Sequence, residues 1–380
     1  VIAPQKKLLN PYKLIAFFPF LLYCFIIITL INCGFYTYIS RFSFSTISQS
    51  GRTNNKGVSV LVCAKNEEKN LLVLIPKLLT QDYPQFQIIL INDHSEDQTL
   101  QIMQGFTAQN SSIKIVDLKP ETGKKAGITK GIQQAQYEHL LFTDADCLPQ
   151  SKHWISEMAA QFSNEKQIIL GYSGYSKIAN SWLNKVIRFE TLLTAMQYFA
   201  YAKNKNTYMG VGRNLAYTKA LFLKNNGFTN HAHLKPGDDD LFVNQNATKT
   251  NVALCSDPSS FTISNPKKSW KEWFYQKRRH TGVSHHYKLK HQLQLGAFYV
   301  SQFLFFFLFL ILVLFNQQYV LALSLFLFRE LAVCLITSKA ALKLQEKELI
   351  PYLLVLEPFL VSTQMLIFIA NILVKPRRWN

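Results

Sequence analysis

Acidic residues are scarce in this chain: 23 Asp and Glu stand against 41 Lys and Arg in 380 residues, a formal net charge of +18. Such a basic balance suits nucleic acid, anionic lipid or phosphate-bearing substrates. Nucleic acid is disfavoured, because no zinc-finger spacing or RNA-binding signature occurs and several stretches are apolar enough for a membrane. The six cysteines (Cys24, Cys33, Cys63, Cys147, Cys255, Cys334) form no CxxC pair. Three sit in apolar stretches, and the set reads as buried thiols in a reducing compartment, not as a disulfide or zinc framework. Internal repeats and heptad runs are missing too. The Gly-rich segment Gly210-Val211-Gly212-Arg213-Asn214 matches neither a dinucleotide nor a phosphate-loop pattern and reads as a tight loop.

What the chain has in quantity is apolar surface: 48% of residues are hydrophobic and 29 are Phe. Residues 14–33 carry no charge and are long enough to span a hydrocarbon core; 297–315 are similar, and 319–336 and 350–374 are further candidates. The first stretch is too long and too poorly flanked for a cleaved signal peptide, and no small-residue cleavage site follows it. The expected organisation is a membrane segment over 1–39, a Ser/Asn-rich linker over 40–56, a domain over 57–296 and a membrane region over 297–380. Arg329, Glu330 and Glu357 fall inside apolar stretches, where charge is costly, so an Arg329–Glu357 pair between spans is expected.

From residue 57 onward strand and helix alternate. Val58–Ala64, Gln87–Ile91, Ile113–Leu118 and His139–Phe142 are short β-rich apolar runs, and helical spacing fills the gaps. That order predicts an α/β domain with a mostly parallel sheet. Ligands of such sheets bind beyond the carboxyl ends of the strands, which is where Asn66, Asp93 and Asp144 fall. Residues 267–290 mix Trp, Phe, Tyr, Lys and Arg, as in a helix lying at the headgroups before the next span.

Four polar signatures follow one another. Asp144-Ala145-Asp146 places two carboxylates where they can share one divalent cation, and Mg2+ and Mn2+ prefer such oxygen ligands beside phosphates. Asp93 can accept hydrogen bonds from a base or ribose, with Ala64, Asn66 and Glu67 facing the same pocket; Asp93 and Asn66 would also serve as helix caps. Lys124 and Lys125 open a helix after Gly123, and a cation at a helix N-terminus is a phosphate site. Gly237-Asp238-Asp239-Asp240 offers a general base as well as a favourable acidic helix start. Gln276, Arg279 and His280, in Gln-Lys-Arg-Arg-His, could hold phosphate oxygens or an acceptor, or touch lipid headgroups.

In this order the chain resembles a membrane-anchored, inverting family 2 glycosyltransferase of GT-A (Rossmann-like) fold, over about residues 58–285 and the flanking spans. VSVLVCAKNEEKNL resembles that family's first strand and turn, and LINDHSEDQT its base-contacting stretch, which points to Asp93. KKAGITKGI resembles the substrate-contacting segment (Lys124 or Lys125). FTDADCLP resembles the DxD segment, where Asp144 and Asp146 would meet sugar-nucleotide and metal. GDDDLF resembles the segment holding the base, and QKRRH the Gln-x-x-Arg-Trp motif that closes over the donor. Two departures stand out. His280 replaces the usual Trp, which weakens an inference of processive synthesis. Gly237 stands where Glu is common if Asp238 is the base; otherwise Asp239 is, and the spacing to Leu241 favours Asp238.

The resemblance implies transfer of a sugar from a nucleoside-diphosphate sugar, a UDP-sugar above all, to a hydroxyl of a lipid-linked or glycan acceptor. Mg2+ or Mn2+ would assist, Asp238 or Asp239 would be the base, and no covalent sugar–enzyme intermediate would form. Membrane lipids are expected partners and nucleic acid is not. A cytosolic donor puts the domain on the cytoplasmic side of an inner or plasma membrane. Four full spans would then leave Lys6, Lys7 and Lys13 at one end, and Lys375, Arg377 and Arg378 at the other, outside, against the positive-inside rule. Pro19 and Glu357-Pro358 would permit 14–33 or 350–374 to be re-entrant or interfacial. The alternatives are a processive polysaccharide synthase, a nucleotidyltransferase, and a non-catalytic nucleotide-sugar-binding membrane protein.

Overall fold

A computed structural model of the chain describes residues 11–46, 56–234, 236–315 and 318–373. Helix α1 (Pro11–Ser43) leads into an α/β domain. Its elements are β1 (Val58–Ala64), α2 (Glu68–Leu79), β2 (Phe86–Asn92), α3 (Thr99–Gln109), β3 (Ile113–Asp117), α4 (Lys124–Gln134), β4 (His139–Asp144), β5 (Cys147–Pro149) and α5 (Trp154–Ala159). There follow β6 (Ile168–Leu170), β7 (Ser173–Tyr175), the long α6 (Trp182–Lys203), β8 (Leu215–Thr218), α7 (Lys219–Lys224), α8 (Asp240–Asn246), β9 (Val252–Leu254), β10 (Thr262–Ser264) and α9 (Trp270–Thr281). The chain closes with α10 (Leu289–Leu314), α11 (Tyr319–Lys343) and α12 (Leu353–Leu373).

β1 and β4 are apolar almost throughout, because both faces of the sheet are covered. The seven-stranded sheet runs β3-β2-β1-β4-β8-β6-β9 and is parallel except where β8 lies antiparallel to β4 and β6. Register decides where the site lies. Ala64 of β1 pairs with Asn92 of β2, and Cys63 with Asp144 of β4, so three strands end on one line. α4 lies close on the sheet because it carries Gly127 and Gly131; a Cβ on Gly131 would stand 2.7 Å from the Ile91 Cδ1. A second sheet of order β5-β10-β7 stands beside the first.

Among the described residues, four helices are long and apolar enough to cross a membrane: Pro19–Ser43, Leu289–Leu314, Tyr319–Lys343 and Lys347–Leu373, the last with its leading 3-10 turn. α1 and α12 run unbroken through Pro19 and Pro358, so neither proline produces the re-entrant break that the sequence permits. α1 also continues through Ser43, past the point where composition predicts a linker. The reason is packing: Tyr36, Ile39 and Phe42 are buried, and Phe42 stacks on Phe199 of α6 at 4.8 Å. Residues 47–55 of that expected linker, Lys6 and Lys7, and the basic tail from Lys375 lie outside the described residues.

The expected Arg329–Glu357 pair is formed. Arg329 Nη2 meets Glu357 Oε1 at 2.6 Å, Nη1 meets Glu330 Oε1 at 2.6 Å, and Nε donates to Asn32 Oδ1 at 2.7 Å. Domain and spans are joined by a second buried pair, Arg188 of α6 with Glu346 after α11. The cysteines are free thiols, as expected; Cys147 and Cys255 are buried and the others half-buried.

Candidate active site

The Asp93 N–H donates to the Ala64 carbonyl at 3.0 Å, and both Asp93 carboxylate oxygens accept from the Gly123 N–H at 3.1 Å. Gly123 has φ +97°, which favours glycine, and it turns the chain into α4. Lys124, the first residue of α4, reaches back across the strand ends. Its Nζ lies 2.7 Å from Asp144 Oδ1 and 3.0 Å from Asp238 Oδ2. Burial pushes the ammonium down, but Asp144, Asp238 and Asp239 outweigh it and hold Lys124 well above its ordinary value. Burial likewise pushes Asp144 up, and Lys124 more than reverses it, leaving that carboxyl low. Lys125 turns instead to the loop that precedes Gly237, donating to the His231 and Leu234 carbonyls at 2.7 and 3.0 Å.

The three aspartates after Gly237 have three different environments. Asp239 caps α8: one oxygen accepts from the Asp240 N–H and the other from the Gly212 N–H, both at 2.7 Å. Asp240 accepts from the Leu241 N–H at 2.7 Å and from the Tyr287 hydroxyl at 2.8 Å. Burial, then the neighbouring charges, raises Asp239 to about 6 and Asp240 to about 7. Asp238 faces Lys124, with 12% of its side chain exposed.

Asp144, Asp146 and Cys147 bring ligand atoms within 4.8 Å of one another. Burial, then Asp144 and Asp146, raises the Cys147 thiol well above its ordinary value, and the sulfur lies 2.9 Å from Ser264 Oγ. The donor set therefore offers two carboxylates beside a protonated thiol, which fits a hard cation such as Mg2+ or Mn2+ on Asp146 and Asp144 better than a thiophilic one. Arg213 is fixed next to this pair, bonded to Ser264 Oγ at 3.1 Å and to the Gly174 and Ser173 carbonyls at 3.3 and 3.2 Å, with its guanidinium 4.5 Å from the Tyr175 ring centroid.

All of this borders one cavity of about 1880 Å³. Asp93, Lys124, Lys125, Asp144, Asp146, Asp238, Asp239, Gln276 and Arg279 line it, so most of the residues singled out from sequence come together. α9 carries Gln276 and Arg279 to the cavity because its other face is anchored. Trp273 and Lys277 both bind Glu190 of α6, at 3.1 and 2.8 Å, and Arg278 Nε donates to Asn371 of α12 at 2.7 Å. Burial pushes Arg279 down.

Ala64, Asn66 and Glu67 lie outside the lining. Ala64 is buried within the sheet end. Asn66, at φ 58°, spends its side chain on the Glu96 N–H at 2.8 Å, and Glu67 accepts from Asn70 at 2.5 Å. The His280 side chain lies outside what the structure describes. Lys65, Arg213 and Tyr287 line the cavity without having been singled out; only the Gly-rich context of Arg213 offered a signal.

The sheet, parallel but for β8, has acidic residues beyond its strand ends, a cation at a helix start and a capping acidic triplet, on a fold of GT-A type. Residues 59–224, less than half of the chain, match the family model described as Glycosyl transferase family 2. A poly-beta-1,6-N-acetyl-D-glucosamine synthase of Staphylococcus epidermidis is 35% identical over 105 residues, 28% of this chain and 25% of that protein. A probable glycosyltransferase of Bacillus subtilis is 24% identical over 270 residues, 66% of this chain and 63% of that protein. The chain thus spans only about a quarter of the synthase it matches. In fold it is similar to a mannosyltransferase from Pyrobaculum calidifontis, solved with GDP-Man and Mn2+, at a TM-score of 0.58 and 15% identity over 93% of this chain and 98% of that one.

Proposed function

We propose that the protein is an inverting glycosyltransferase that moves a sugar from a nucleoside-diphosphate sugar, a UDP-sugar by the family resemblance, to a hydroxyl of a lipid-linked or glycan acceptor. The observation that carries this is the Lys124 bridge between Asp144, at the end of β4, and Asp238, which joins the diphosphate end of the site to its base. Residues 57–296 would form the catalytic domain, cytoplasmic at an inner or plasma membrane, with 1–39 and 297–380 as membrane regions; α1 runs on to Ser43, so the linker read over 40–56 would begin only after it.

Asp238 is the base in this reading, because Asp239 and Asp240 commit oxygens to backbone N–H groups as the start of α8. The acceptor oxygen attacks the anomeric carbon, its proton passes to Asp238, and the bond to the diphosphate breaks on the opposite face. Lys124 and Arg279 stabilise the charge that develops on the leaving diphosphate, and Gln276 orients it. Asp93 holds the base or ribose, and Asp146 with Asp144 would hold Mg2+ or Mn2+, which supplies Lewis-acid stabilisation of the diphosphate when bound. The name of the staphylococcal relative supports a second reading, a polysaccharide synthase, which predicts products of many sugars.

The test is nucleoside diphosphate release from UDP-, GDP- and dTDP-sugars in membranes with Mn2+ or Mg2+. One donor should turn over. Asp146→Ala should abolish the metal-dependent turnover, and Asp238→Asn should lower kcat by about 10²–10⁴-fold while donor binding persists. Full turnover in Asp238→Asn would remove it as the base.

A further inference from the structure

The cavity is far longer than the carboxylate cluster. Besides Asp146 and Asp238 it is lined by Gly296, Val300 and Phe303 of α10 and by Met365, Phe368 and Ile372 of α12. Val300, Phe368 and Ile372 are 51%, 56% and 67% exposed, so this arm opens on the outer face of two membrane-length helices. The opening lies at the domain end of the bundle, since Asn371 beside it holds Arg278 of α9 and α10 starts soon after α9. At the level of Arg329 the bundle interior is filled. There α1, α10, α11 and α12 meet on the buried cluster of Asn32, Tyr36, Gln302, Arg329, Glu330 and Glu357, in which Gln302 and Tyr36 both donate to Glu357.

We propose that the acceptor is a membrane lipid with a free hydroxyl on its headgroup, which enters sideways between α10 and α12. This rests on the transferase reading above and narrows its acceptor. The hydrocarbon chain lies along Val300, Met365 and Phe368, in a cleft that would otherwise hold water against apolar walls, and bilayer lipid is the species that already covers such helix faces. The headgroup reaches up the same cavity to Asp238. Its oxygen forms the new bond to the anomeric carbon, its proton goes to Asp238, and the nucleoside diphosphate departs with the electron pair of the broken bond. The product leaves by the same cleft, in the plane of the membrane, without passing through the bundle.

Gly296 provides the test, because it lines the cleft and a Cβ built there meets nothing within 4 Å. Gly34 of α1 is equally open but does not line the cavity, and serves as control. Membranes containing the full chain are given the radiolabelled donor that turns over, and the products are partitioned between organic solvent and water. The label should enter the organic phase. Gly296→Trp and, on the facing wall, Met365→Trp should lower that transfer at least tenfold, with affinity for the free nucleoside diphosphate unchanged; Gly34→Trp should transfer as wild type. Label confined to water-soluble or insoluble glycan, or full transfer by a folded Gly296→Trp protein, overturns the lipid acceptor and leaves the transferase standing. If the wild type turns over no donor, the transferase reading itself falls, and the lipid acceptor with it.

Discussion

Neutral pH should destabilise the apo domain relative to mildly acidic pH, and the acidic triplet should be the cause. Asp239 is raised to about 6 and Asp240 to about 7 from an ordinary 3.8, first by burial and then by the charge of the carboxylate that precedes each. The folded state therefore binds protons more tightly than the unfolded chain. Between the unfolded pKa near 4 and the folded values, the native carboxyls stay protonated while the unfolded ones ionise, so stability falls as pH rises through that window and levels off above it. Each tenfold gain in proton affinity on folding corresponds to about 1.4 kcal/mol. The two carboxyls are adjacent and titrate as a pair, so their contributions do not add, and about 3 kcal/mol is the scale for both. For a domain of this size that is a fall in Tm of roughly 6–12 °C between pH 5 and pH 8.

The assay is thermal unfolding of the full chain in nanodiscs, at constant ionic strength and without nucleotide or metal, for wild type and Asp240→Asn. The asparagine keeps an oxygen for the Tyr287 hydroxyl but cannot ionise. Its Tm should vary with pH by less than half as much as wild type and should exceed wild type at pH 8. A wild-type Tm that is flat or rises from pH 5 to pH 8, or an Asp240→Asn curve parallel to wild type, would refute the assignment of buried, raised carboxyls to this segment.

Three further outcomes follow from single contacts. Lys124→Met leaves Asp144 and Asp238 facing each other without their shared cation, so kcat/KM should drop about 10²–10³-fold and the acidic limb of its pH profile should move up, because Lys124 is what holds Asp144 low; an unmoved limb would count against the bridge. Arg188→Met strands the Glu346 carboxylate, which is 4% exposed, and should cost about 3–5 kcal/mol in a chemical denaturation series, whereas Arg188→Met with Glu346→Gln should recover part of it. Gly131→Val must fit a side chain where Ile91 and Leu61 carbons already stand 2.7 and 3.0 Å from the Cβ position, and should cost about 1–3 kcal/mol by the same measurement.

The strands β1, β2 and β4 were legible because each is a short, largely buried apolar run, β3 because its Ile and Val survive at the sheet edge, and the helices between them carry their own periodicity. β6, β7, β9 and β10 were not, since each has three residues and exists only through partners distant in sequence. α6 escaped notice for a related reason. It is buried against both the domain and the spans, so its apolar residues show no single stripe to read. Asp93, Asp144 and Asp146 reach the cavity from places after strands that the sequence showed, and Gln276 and Arg279 were singled out by the resemblance of QKRRH to Gln-x-x-Arg-Trp. Asn66 was ambiguous between cap and ligand, and local hydrogen bonding took it. Tyr287 gave no signal, because its role is to meet Asp240, and nothing in the sequence brings those two together.

Lys124 shows why the motifs come as a set. At the head of α4 it would be an ordinary solvated lysine if β4 ended one residue earlier or if α8 started elsewhere. The parallel register that aligns Cys63 with Asp144 puts one carboxylate in reach, and the cap formed by Asp239 on Gly212 fixes α8 so that Asp238 supplies the other. One cation between two carboxylates leaves the cluster negative, and a diphosphate adds more negative charge. In the proposed reaction the donor would bring a divalent cation with it, and Asp146, in the turn just beyond Asp144, would help to receive that cation. The diphosphate of that proposed reaction would compete with Asp144 and Asp238 for Lys124, which couples the donor's seat to the proposed base.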